Sequence, residues 1–189
     1  FRRLGVDALP FYYQLRDDSD SDILAAVSTT SADLRFLDVD MWAENLVELS
    51  NHELPVVRRN LVPSLREYFE TFPDDTRKLL PVMWQDGDEV VRTRMRELLI
   101  KMSDISSTQF GARITDLNQH GCDLSALWRL MDARRKGSSE AWKSWLSGEG
   151  EMPETIETMR HVSTMQAPEE LPDLSEALET LDEELGFLD

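Results

Sequence analysis

Residues 51–102 read NHELPVVRRNLVPSLREYFETFPDDTRKLLPVMWQDGDEVVRTRMRELLIKM, and this stretch decides the fold. It contains Val56-Val57-Arg58 and, 34 residues later, Val90-Val91-Arg92. Each phrase opens a segment with apolar residues at helical spacing. The first has Val57, Leu61, Leu65, Tyr68, Phe69 and Phe72; the second has Val90, Val91, Met95, Leu98, Leu99 and Met102. Residues three and four apart share a helix face, so each set forms one apolar stripe. Each phrase also follows a polar turn, Asn51-His52-Glu53 in one case and Asp86-Gly87-Asp88-Glu89 in the other. A period in the thirties carried by helical patterning points to stacked helix pairs, where each unit buries its apolar face only against its neighbours.

Upstream, residues 7–17 form a short expected helix, with Asp7 as cap and Pro10 in its first turn. A second expected helix covers residues 23–27 and is broken by Ser28-Thr29-Thr30-Ser31. Residues 33–49 carry Leu34, Leu37, Met41, Leu46 and Leu49, which predicts one helix. Pro63 lies inside the segment opened by Val56, where it removes a backbone donor and crowds the preceding turn, so a kink or a break is expected there.

Downstream, residues 76–85 and 89–102 form the next pair, followed by a loop at 103–108. Residues 109–120 form a helix ended by Gly121 in the C-cap position. Asp123 caps a helix over 124–136, Gly137 stops it, and residues 140–146 add a last short turn of helix. The fold class is therefore all-α: a short α-solenoid of antiparallel helix pairs, or alternatively an irregular helical bundle. The composition shift at 148–153 divides the chain into a helical-repeat domain at 1–147, an acidic linker at 148–171 and an acidic C-terminal segment at 172–189.

At an offset of 34, Leu46 superposes on Leu80, Leu49 on Met83, Val57 on Val91, Leu61 on Met95 and Leu65 on Leu99. A third copy after Asp123 fits an offset nearer 35 and lacks the Val-Arg phrase. A helix pair, a turn bearing Asp or Asn, and Val-Val-Arg opening the second helix together resemble a HEAT repeat, over roughly residues 33–136. That resemblance implies an α-solenoid whose second helices line one face. It also implies a scaffold for protein partners; a minority of such proteins bind nucleic acid, and one group acts as DNA glycosylases.

The charge is unevenly spread. The net of −17 divides into −6 over residues 1–50, +1 over 51–136 and −12 over 137–189. So strongly acidic a chain repels phosphates at long range, which disfavours non-specific nucleic-acid binding. The basic residues collect on the expected second helices: Arg58, Arg59 and Arg66, then Arg92, Arg94 and Arg96, then Arg129, Arg134 and Arg135. Two readings stand side by side. The arginines form a ladder for an acidic or phosphate-bearing partner, to which Arg59, Arg66, Arg94, Arg96, Arg129, Arg134 and Arg135 are assigned. Alternatively they pair with turn carboxylates of neighbouring repeats, the expectation for Arg58 and Arg92.

Trp42, Trp84 and Trp128 occur one per repeat, where they either pack in the core or stack on bases. Leu174, Leu178, Leu181, Leu185 and Leu188 follow a 4-3-4-3 spacing on the acidic C-terminal segment. This is one apolar seam on a negative helix, suited to a groove on a partner or to masking the arginine ladder of its own domain.

No Ser-His-Asp order, glycine-rich phosphate loop or metal-ligand spacing is present, and no cofactor or enzyme activity is implied. His52, His120 and His161 are scattered. The single Cys122 fits a reducing, cytoplasmic setting. The apolar runs are too short to cross a bilayer, so no membrane partner is expected. The function this supports is a non-enzymatic protein-interaction module, with a nucleic-acid-directed protein or an acidic inhibitor of a basic partner as alternatives.

Overall fold

The computed structural model describes residues 5–155, and these fall within one compact unit, Phe1–Thr155. The described residues are helical with no strand. A 3₁₀ turn, Gly5–Ala8, leads into α1, Leu9–Arg16, and then α2, Ser21–Thr30. A second 3₁₀ turn, Ser31–Phe36, precedes α3, Val39–Ser50, and α4, Pro55–Thr71. The next pair is α5, Pro73–Trp84, and α6, Glu89–Ile105. Then come α7, Ser107–Gln119, α8, Ser125–Arg134, and α9, Ser138–Leu146.

Contacts between helices follow two interleaved series. Helix α2 packs on α4, α4 on α6, and α6 on α8. In the other series α3 touches α5, α5 touches α7, and α7 touches α9. Neighbours in sequence, such as α3 with α4 and α5 with α6, also pack together. Helices α4, α6 and α8 begin 34 and 36 residues apart, so the third copy is offset by slightly more than its sequence suggests. Their third residues, Val57, Val91 and Leu127, are all 0% exposed. Four positions on, Leu61, Met95 and Met131 are buried too. Equivalent places in successive second helices thus do the same job of filling one apolar cluster.

Aspartates set several helix starts. Asp20, Asp38 and Asp88 each accept amide bonds at the head of the helix that follows. Asp7 does not cap α1, whose N-cap is Ala8 with no side-chain bond. Gly121, just past α7, has φ of +67°, a left-handed conformation that ends a helix without a Cβ clash; Gly137, with φ of +78°, does not stop α8, which ends at Arg134, but is the N-cap residue of α9.

Three expectations of the local structure are corrected. Ser28-Thr29-Thr30-Ser31 does not break α2. Each hydroxyl instead bonds a carbonyl three or four residues back, such as Ser28 Oγ to Ala25 O at 2.9 Å, so the run stays helical. Residues 33–49 are not one helix, because the 3₁₀ turn ends at Phe36 and Asp38 caps a new start. Residues 103–108 are not a loop: α6 runs to Ile105, and Ser106 alone separates it from α7 while capping that helix through its hydroxyl.

Pro63 does not break α4 either. Without an N–H, Pro63 leaves the carbonyl four residues earlier, that of Arg59, without its helical donor. Arg94, from α6, donates to that carbonyl at 2.7 Å. The neighbouring helix supplies the hydrogen bond that the proline removes. Pro63 itself points outward and is exposed.

The chain after α9 does not leave the helical unit at once. Ser107 on α7 donates to the carbonyl of Pro153, and Met152 lies against Gly111. Residues 148–155, the start of the expected linker, therefore lie on the helical unit.

Candidate partner-binding surface

The turn between α5 and α6 joins two successive second helices. Asp86 has a side chain 6% exposed, and Arg58 of α4 grips both its oxygens, Nε to Oδ2 at 2.6 Å and Nη2 to Oδ1 at 2.9 Å. Arg58 Nη1 also donates to the carbonyl of His52 at 2.5 Å. Arg59 holds Asp88 in the same forked manner, Nε to Oδ1 at 2.9 Å, while Asp88 caps α6 through the amides of Val90 and Val91. The fork of an arginine matches a carboxylate on two atoms, which fixes direction as well as distance.

These pairings shift the carboxylates. The guanidinium of Arg59 holds Asp88 well below the usual carboxylate range, helped by the two helix amides. Burial pushes Asp86 upward, but the hydrogen bonds from Arg58 and from the amide of Asp88 outweigh it and leave it below its ordinary value. The bond to Asp86 raises Arg58 in turn.

Arg58 therefore pairs with the turn carboxylate of the next repeat, as one reading of the sequence expects. Arg92 does so only in part. It repeats the backward reach of Arg58, six residues to the carbonyl of Asp86 at 2.5 Å, but bonds no carboxylate among the described residues.

The seven arginines of the expected ladder separate by what they touch. Arg59 is tied to Asp88, Arg66 to Glu70 one turn along its own helix, and Arg135 to Asp104 at 2.7 Å. Arg94 caps the Arg59 carbonyl. Arg96 lies over the ring of Trp84, 5.8 Å from its centre. Arg129 and Arg134 are exposed and ion-paired to no carboxylate among the described residues. Lys101 and Lys136, outside the expected ladder, are exposed and unpaired in the same sense. The free cations thus gather on α6, on α8 and just past the end of α8.

Arg94 and Lys101 also border a groove between α4 and α6 of about 210 Å³, with Val62, Pro63 and Leu98 as its apolar surface and Glu97 between the two cations. The depression continues past Arg94 and Glu97 to Thr93 and to Val90, which is 40% exposed. That Val62, Pro63, Glu97 and Leu98 line one groove carries no signal in the sequence, because the groove exists only through the register of α4 against α6.

Trp42 and Trp84 are buried, 1% and 4% exposed, and Trp84 Nε1 donates to the carbonyl of Asp123 at 3.1 Å. Trp128 is half-buried and lines a shallow cleft with Cys122, Asp123 and Lys143. Cys122 is a buried free thiol that receives a hydrogen bond from Gln85 Nε2 at 3.1 Å. Among the described residues, no three of His, Cys, Asp and Glu are grouped to hold a metal ion, and no helix is long and apolar enough to cross a membrane. Leu174, Leu178, Leu181 and Leu185 lie outside the described residues. No family model, curated protein or solved structure matches the chain.

Proposed function

We propose that the chain is a HEAT-like helical-repeat module that binds a protein partner and performs no chemistry of its own. The surface of α6 and α8 is the main contact, and the acidic leucine-bearing segment at 172–189 is a second contact to a partner. One observation carries this reading. In a chain of net charge −17, Lys101 of α6, Arg129 and Arg134 of α8 and Lys136 just past α8 are exposed and make no ion pair with a carboxylate among the described residues. Exposed cations left without ion pairs on an otherwise acidic protein favour an external counterpart of opposite charge. The buried free thiol of Cys122 fits a reducing, cytoplasmic setting.

A base-reading role has less support. Trp42 and Trp84 are buried, so they offer no free ring face on which a base could stack.

The test is affinity capture by the full chain and by a variant carrying Lys101→Glu, Arg129→Glu and Arg134→Glu, with Asp40→Lys and Glu44→Lys on α3 as the control. The reading expects a bound partner lost with the first variant and kept with the control. Equal capture by both variants contradicts it. Binding of DNA or RNA at low salt, abolished by the first variant, moves the assignment to nucleic acid.

A further inference from the structure

We infer that the groove between α4 and α6 takes a helix of a partner protein that carries an acidic, a basic and a second acidic residue along one stripe, with leucine-like side chains beside it. This rests on the interaction-module reading and narrows it to a ligand class. Arg94, Glu97 and Lys101 lie on one side of α6 at steps of three and four residues, so their charges alternate plus, minus, plus along a single helix face. The outer two stand one heptad apart, about 10 Å along the axis at the helical rise per residue. A helix laid along α6 meets this pattern with carboxylates seven residues apart and a lysine or arginine between them. An all-acidic stripe meets Glu97 as a like charge, so the groove rejects uniform negative charge as well as accepting the alternating form.

The apolar half of the groove supplies the rest. Val62 and Leu98 are 3% and 8% exposed, and their remaining surface opens into the groove beside the ring of Pro63. The leucine-like side chains of a ligand helix cover the exposed ring of Pro63 and the remaining surface of Val62 and Leu98 here. Arg94 is held in place by its bond to the Arg59 carbonyl, and this pre-organises its remaining N–H groups for a carboxylate.

The experiment uses the full chain and two synthetic helical peptides with the same leucines. One carries Glu, Lys and Glu at positions i, i+3 and i+7; the other carries Lys, Glu and Lys. Fluorescence anisotropy should show the first binding and the second weaker by about tenfold or more, the size expected of like-charge contact. Glu97→Lys should weaken the first peptide, and a peptide with Glu at its central position should bind that variant better than it binds the original chain. Lys101 and Glu97 are exposed, and unchanged thermal melting confirms that both variants fold. Equal binding of the two peptides, no binding of either, or failure of the Glu97→Lys exchange overturns the inference. If the peptides fail while Lys101→Glu with Arg129→Glu and Arg134→Glu still abolishes partner capture, the module reading stands and the ligand class falls.

Discussion

Replacing Arg58 with alanine removes the clamp between α4 and the turn before α6. The Asp86 carboxylate, its side chain 6% exposed beside Arg58, then loses its counter-charge and keeps the amide of Asp88 at 2.7 Å. Breaking a buried ion pair from one side costs about 3–5 kcal/mol. The surviving amide bond puts this case at the low end, about 3 kcal/mol, or a fall in Tm of about 6–12 °C for a domain of this size. Asp86→Ala should cost a similar amount, because Arg58 loses both of its forked bonds. Removing both residues together leaves no unpaired charge, so the double variant should cost about 4 kcal/mol, a coupling of about 2 kcal/mol. Urea and thermal unfolding followed by circular dichroism measure all four corners of this cycle. An Arg58→Ala cost within about 0.5 kcal/mol, as for an ordinary surface change, or additive single costs, refutes the clamp.

Asp86 and Asp88 are held below the usual carboxylate range in the folded state, so they contribute stability that is full above the unfolded value of about 4 and is lost as pH falls through the folded values. Asp123 and Asp132, lowered by their bonds to Ser125 and Ser139, act in the same direction. The urea midpoint should drop from pH 5 to pH 3, and less steeply in a variant with Arg58→Ala and Arg59→Ala. Arg94→Ala should cost about 1 kcal/mol, because the Arg59 carbonyl loses its donor, and most of that cost should vanish in a Pro63→Ala background, where the helix supplies its own amide. Gly111→Ala places a Cβ 2.9 Å from Trp145 Cη2 and 3.2 Å from Met152 Cε; the crowding should outweigh the gain in helix propensity and lower stability by about 1 kcal/mol, with a change in tryptophan emission.

The helices are legible in the sequence because their signals are local. Val57 and Val91 announce their buried faces by spacing alone, and Gly121 marks a helix end through a backbone conformation that glycine adopts without strain. The errors came from residues with two options. Serines and threonines at 28–31 can end a helix or bond back to its carbonyls, and the neighbouring packing of α2 decides between them. Pro63 would break an isolated helix, and the arginine that rescues it stands 31 residues away on another helix. The candidate surface was half visible. Arg129 and Arg134 were named from charge clustering, whereas Lys101, Glu97, Val62 and Leu98 form a groove only once α4 lies against α6. Arg59 and Arg135 look like free cations in the sequence because carboxylates 29 and 31 residues away leave no local mark, whereas Glu70, four residues from Arg66 on the same helix, is a local partner legible in the spacing.

Helices α4, α6 and α8 stand side by side in chain order. Residues 63, 97 and 133 are each the ninth in their helix and all are exposed, which makes them matched sites for spin labels in a Cys122→Ala background. Pulsed dipolar distances should place 63–97 and 97–133 about one helix spacing apart, about 8–10 Å between axes, and 63–133 about two spacings, about 16–20 Å. A 63–133 distance equal to or shorter than either single step contradicts the stacking and removes the face on which the binding proposal stands.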